Sequence, residues 1–184
     1  MSGFRRWFLL MLVVISAGLG GQGGAARATP VQPGVLVNQF GQPVPQGQLR
    51  GHYILVYFGY TYCPDICPLT LSMLSDVLEQ LGPLKAKLKV LFVTVDPARD
   101  TPAVMRAYLA HFNPSIIGLT GSPAEILSAE KAFGAPVQPP AKDGTIAHGA
   151  FIYFMGPDGR ALQSFHAEDK AESLLKVLRA ALKP

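Results

Sequence analysis

Apolar residues in this chain recur in two patterns. Tyr53–Phe58 (YILVYF) and Lys89–Val95 (KVLFVTV) are continuous runs of strand length, of the kind buried on both faces of a sheet. Between them Leu71, Leu74, Leu78 and Leu81 recur at i, i+3, i+7 and i+10, one face of a helix that Gly82-Pro83 stops. Strand, helix, strand in that order predicts a right-handed parallel crossover. Thr101-Pro102 then caps a helix reaching about His111, with proline at its first position. Ser122-Pro123-Ala124-Glu125 has capping-box spacing and opens another helix, which Gly134 ends. Ala150–Met155 and Ala161–Phe165 read as strands joined by the turn Gly156-Pro157-Asp158-Gly159. A last helix covers about residues 168–182, apolar along Ala171, Leu174, Leu175, Leu178 and Ala181, with acids at its start and bases at its end. Residues 29–50, rich in Gly, Pro and Gln, read as an extended lead-in with a short hairpin around Asn38–Gly41. There are no internal repeats. The order βαβ, helices, ββα predicts an α/β chain of thioredoxin-like fold, a central mixed β-sheet flanked by helices.

The front end has a different pattern. Arg5 and Arg6 precede Trp7–Leu19, whose only polar member is Ser16, and Ala26-Arg27-Ala28 has the small-x-small form of a signal-peptidase site. Trp7 to Ala26 is also free of charge and about 20 residues long, enough to span a bilayer as helix. Residues 1–28 are therefore a cleaved signal or a retained membrane anchor, and residues 29–184 form the domain. Either way the paired arginines stay cytoplasmic, which places the domain at the periplasmic face of the membrane or an equivalent compartment.

Charge changes the picture only by exclusion. The formal net charge is +4, but Arg5, Arg6 and Arg27 lie in an N-terminal stretch without acids. Without them the chain has 13 Lys+Arg against 12 Asp+Glu, and no basic run interleaved with aromatics remains. Nucleic acid is set aside as a partner.

The chemistry lies in Cys63-Pro64-Asp65-Ile66-Cys67-Pro68, which holds the only two cysteines. A helix begun at Pro64 would carry Pro68 in its second turn, costing about 3 kcal/mol, so the spacing predicts a helix from Pro68 with Cys67 as its cap. There the helix dipole would favour a Cys67 thiolate. The pair suits a disulfide or a shared metal ion. A closed zinc site wants four ligands, whereas soft thiolates suit copper(I). A purely structural disulfide would close a small loop and restrict the unfolded chain little. The turn also sits at the carboxyl end of a strand, where open α/β sheets place their sites.

"FGYTYCPDICP", "VTVDPARDTP" and "TIAHGAFIYFMGPDGR" resemble, in order and spacing, the Sco/SenC family of copper-binding assembly factors for cytochrome c oxidase. The resemblance covers most of residues 35–183. It implies a thioredoxin-like, membrane-tethered domain that holds copper through Cys63, Cys67 and His148 and delivers it toward the binuclear copper site of oxidase subunit II. An upstream copper donor and a thiol reductant are the further partners it implies. Many family members have an acid before that histidine and a small hydroxyl residue after it; here those positions are Ala147 and Gly149.

Three other histidines, His52, His111 and His166, have a surface role as their default. His148 differs because it directly precedes a strand whose entering loop faces the cysteine turn in a thioredoxin-like sheet. Asp96 is expected to shape its own loop through Arg99 or to support the cysteine turn. Asp65, a hard ligand, is expected to bond turn amides. Tyr60 and Tyr62 flank the site, either as a docking surface or as core. Two functions remain open on the same residues. A copper metallochaperone is not an enzyme in the strict sense. A thiol–disulfide reductase that prepares client cysteines would be one, with Cys63 and Cys67 as its redox pair. A peroxidase of the peroxiredoxin type fits poorly, since Cys63 lacks the upstream proline and Thr61 is only two residues away.

Overall fold

The computed structural model describes residues 36–183; the predicted signal or anchor lies outside them. Six strands, β1 (Val37–Asn38), β2 (Tyr53–Gly59), β3 (Leu88–Thr94), β4 (Ile116–Thr120), β5 (Phe151–Met155) and β6 (Ala161–His166), form one sheet in the order β1-β4-β3-β2-β5-β6. Strands β2, β3 and β4 are mutually parallel, while β5, β6 and β1 pair antiparallel. The helices are α1 (Ile66–Leu81), α2 (Pro102–Leu109), α3 (Pro123–Phe133) and α4 (Ala171–Leu182). This is the expected mixed sheet flanked by helices. Among the described residues no helix is long and apolar enough to cross a membrane.

The continuous apolar runs are explained by burial on both faces. Along β2 and β3, Leu55, Tyr57, Val90 and Phe92 point to one core half, filled by leucines of α1 and α4 and by Met105 of α2. Ile54, Val56, Phe58, Leu91 and Val93 point to the other, closed by Ile126 and Ala129 of α3. Each fully buried Leu or Phe contributes about 1.5–3 kcal/mol, so these central strands are the stable floor on which the site is built.

The local signals for helix ends hold. Thr101 accepts a hydrogen bond from Val104 N, Ser122 and Glu125 form the reciprocal capping box, and Gly134 closes α3 in the left-handed conformation. The Asn38–Gly41 hairpin is present as a turn in which Asn38 N donates to Gln42 O. The periodicity of the sequence did not predict β4. Its centre is Gly118, where an added Cβ would stand 2.5 Å from Leu109 and 2.8 Å from Met105. Glycine here lets α2 approach the strand directly, and it also breaks the apolar run that would have marked a strand.

Candidate metal site

The cysteine turn leaves the carboxyl end of β2 and enters α1. Cys63 N donates to Tyr60 O at 3.2 Å, closing the turn. Helix α1 begins at Ile66, not at Pro68 as the sequence predicted. With Asp65 in the cap position, Pro68 falls at the third helical residue, where the backbone N–H has no intrahelical partner to lose. The penalty expected of a second-turn proline never arises. Asp65 is exposed, and its carboxylate makes no cap hydrogen bond, contrary to the expected bonding of turn amides.

Starting the helix earlier takes Cys67 off the cap and into the core, at 0% exposure. Its sulfur lies over Gly59, the last residue of β2. A methyl group on Gly59 would stand 2.9 Å from Cys67 Sγ and 2.6 Å from the Phe92 ring. The Tyr57 hydroxyl donates to the same sulfur at 3.5 Å. Burial pushes the Cys67 thiol up to about 12; hydrogen bonds from Tyr57 and the Tyr60 backbone offset it in part, and the neighbouring Cys63 adds to it. The expectation of a thiolate activated by the helix dipole is therefore wrong for Cys67: desolvation outweighs the dipole. Cys63 is half-buried at the seam of the two core halves, and both cysteines are free.

His148 comes from the far end of the chain to meet them. Its Nε2 lies 3.7 Å from Cys67 Sγ, across 81 residues of sequence. The Gly149 carbonyl stands 3.3 Å from Nδ1. With the ring proton held there, the Nε2 lone pair faces the sulfur. Burial lowers the pKa of His148, opposed in part by the Gly149 carbonyl, so the neutral imidazole is the form favoured. Edge contacts with the rings of Tyr57 and Tyr60, at 6.5 and 5.9 Å, fix the plane of the imidazole. Among the described residues no three Cys, His, Asp or Glu side chains already stand at metal-holding separations. The structure thus brings Cys67 and His148 together, with Cys63 half-buried nearby.

Of the other histidines, His52 precedes β2, His111 follows α2, and His166 ends β6, its ring tilted against that of Phe151 with centroids 4.5 Å apart. The tyrosines separate. Tyr60 is buried and accepts a hydrogen bond from Ile146 N at 3.1 Å, whereas Tyr62 is 68% exposed. The two departures beside His148 also separate. Ala147 is exposed, while a Cβ on Gly149 would meet Pro136 at 2.7 Å. A serine at 149 would not fit this loop without movement.

Asp96 pairs with Arg99, as expected, and shapes its own loop. The acid that reaches the cysteine turn is Asp100, which sequence reasoning missed. It is fully buried and accepts from Thr61 N (3.0 Å), Thr61 Oγ1 (2.5 Å) and Thr94 Oγ1 (2.6 Å). Its carboxyl pKa is raised by burial, against the lowering effect of those hydrogen bonds. Its position four residues after Asp96 and directly before the helix cap was the available signal. A separate apolar cavity of ≈ 230 Å³, lined by residues including Leu49, Ile54, Phe58, Phe133 and Met155, lies on the opposite face of the sheet and touches neither cysteine nor His148.

Comparison with known proteins agrees with this fold. The SCO1/SenC family model matches residues 24–183. A SCO2-like protein of Rickettsia felis is 35% identical over 149 residues, covering 78% of this chain and 73% of its own. The structure of Bradyrhizobium japonicum ScoI with copper bound is 38% identical, covers 83% of this chain and 99% of its own, and superposes with a TM-score of 0.75. BsSco, a member of the Sco family of cytochrome c oxidase assembly proteins in which a disulfide switch has been identified, is 28% identical with a TM-score of 0.70, over 83% of this chain and 93% of its own. The chain belongs to the SCO1/SenC family.

Proposed function

We propose that this protein is a copper metallochaperone that takes copper(I) on Cys63, Cys67 and His148 and delivers it to the binuclear copper site of cytochrome c oxidase subunit II. The observation that carries the reading is the approach of His148 Nε2 to Cys67 Sγ at 3.7 Å. Thiolate and neutral imidazole suit a soft cation. Of the nearby carboxylates, Asp96 and Asp100 are already engaged by Arg99, Thr61 and Thr94, and a single exposed carboxylate at Asp65 is too few donors for a hard cation. A copper-bound relative of the same fold at 38% identity supports the choice of metal. Two thiolates and an imidazole around copper(I) carry one net negative charge. Because Cys67 rests as a thiol, copper uptake must displace its proton. Half-exposed Cys63 and the loop-borne His148 are the donors a client can replace first. The N-terminal segment would hold the domain at the periplasmic face, with a copper donor and a thiol reductant upstream.

Anaerobic copper(I) titration tests this. One copper per chain with thiolate charge-transfer absorbance is expected, and Cys63→Ser or Cys67→Ser should each abolish the band. A band that survives either change contradicts the ligand set.

The two free cysteines favour one second reading, client disulfide reduction. Cys63 would attack as thiolate and Cys67 would resolve the mixed disulfide, releasing a client dithiol and leaving the Cys63–Cys67 disulfide for the reductant to reset.

A further inference from the structure

We infer that Arg99 is a positioning residue for His148, a latch that ties the histidine loop to the exposed ring of Tyr62. Its consequence for copper rests on the reading above; its geometry does not. Residues 134–150, between α3 and β5, contain no strand or helix, only an isolated bridge pairing Val137 with His148. Within the loop, Gln138 N donates to Ala147 O and Gly149 N to Pro136 O, both at 2.8 Å. Two polar contacts join its tip to the body of the domain: Ile146 N to the Tyr60 hydroxyl, and Arg99 Nη2 to Gly144 O at 2.6 Å.

Arg99 is anchored at its other end. Its Nε pairs with the buried carboxylate of Asp96, and its backbone N donates to Asp96 O at 3.2 Å. The guanidinium carbon lies 4.9 Å from the centre of the Tyr62 ring and 5.9 Å from that of Tyr60. One planar group thus meets a carboxylate, a carbonyl and an aromatic face, a combination that lysine cannot reproduce. The loop is shaped to receive it. Gly144 has φ 80°, and a Cβ there would stand 2.9 Å from Arg99 Nη1. His148 follows four residues later.

A partner that covers Tyr62 competes for the same guanidinium face. Drawing Arg99 away from Gly144 frees the loop and loosens His148, so docking at the exposed tyrosine is converted into release of the imidazole from the metal. The latch makes delivery conditional on contact with the client.

The test uses the full chain in lipid nanodiscs. Amide hydrogen exchange of residues 141–149 in the metal-free protein should be about tenfold faster in both Arg99→Gln and Arg99→Lys, with β2 and β3 unchanged. Tyr62→Ala should give a smaller acceleration, and adding it to Arg99→Gln should change nothing further. Loop exchange unchanged in Arg99→Gln overturns the latch. Wild-type exchange in Arg99→Lys does so as well, because charge alone would then suffice. Copper(I) release to a chelator should also be about tenfold faster in Arg99→Gln. Faster exchange with unchanged release would support the latch and instead overturn His148 as a copper ligand.

Discussion

The sulfur side and the histidine side of the site are built differently. Cys67 is seated in the first turn of α1 and packed among Gly59, Tyr57 and Phe92, fully buried in the core. His148 ends a loop that has no strand or helix and is held by single hydrogen bonds to Arg99 and Tyr60. Loops longer than about 12–15 residues without structure of their own are usually functional. The difference separates two tasks. On this build the buried sulfur is expected to serve as a fixed point, with the loop-borne imidazole the side that moves. Damage on the sulfur side should therefore cost stability as well as metal, and damage on the histidine side metal alone.

The largest effect is expected at Asp100. Asp100→Ala removes the acceptor of three hydrogen bonds and leaves Thr94 Oγ1 without its buried partner, at a cost of about 3 kcal/mol in urea unfolding. A loss below about 1 kcal/mol would mean that the turn is held by packing alone.

Next is Gly59→Ala. The added methyl must displace Cys67 or Phe92, and overpacking of this kind costs about 1–3 kcal/mol. The same change should weaken copper binding, because the sulfur cannot move without moving α1. Normal affinity with reduced stability would show that Cys67 is not the fixed point.

Reactivity sharpens the comparison further. With the Cys67 thiol at about 12, the thiolate is about one part in ten thousand at pH 8, and its alkylation should rise about tenfold per unit of pH from there to pH 11. Rapid alkylation of Cys67 near neutral pH would restore the dipole-activated thiolate that burial here overrides.

Asp65→Ala should have the smallest effect. A capping aspartate is ordinarily worth about 1 kcal/mol, but this carboxylate makes no cap bond, so the change should stay within about 0.5 kcal/mol. A loss of 1 kcal/mol or more would mean that the carboxylate caps α1 in solution.

The legible parts of this molecule are those whose signals are local. The apolar runs of β2 and β3, the capping box at Ser122 and the αL glycine at 134 each act within a few residues, and all stand where the sequence puts them. The start of α1 was misread because a proline's cost depends on its place in the turn, a matter of two residues. β4 was missed because Gly118 was selected by a helix packed over it rather than by its own strand. Asp100 was passed over in favour of Asp96 because its partner Thr61 lies 39 residues away. The approach of His148 to Cys67 spans 81 residues and was foreseen only through topology and family resemblance.

The most direct test of the central claim is oxidase assembly in cells carrying His148→Ala, at ordinary and at excess copper. The cysteine pair remains intact in that variant, so it should still form and break the Cys63–Cys67 disulfide. If metal delivery is the function, assembly should fail at ordinary copper and recover when copper is supplied in excess, while Cys63→Ser and Cys67→Ser lose both copper binding and thiol exchange. Full assembly by His148→Ala at ordinary copper would contradict the account and make client reduction the work of this protein.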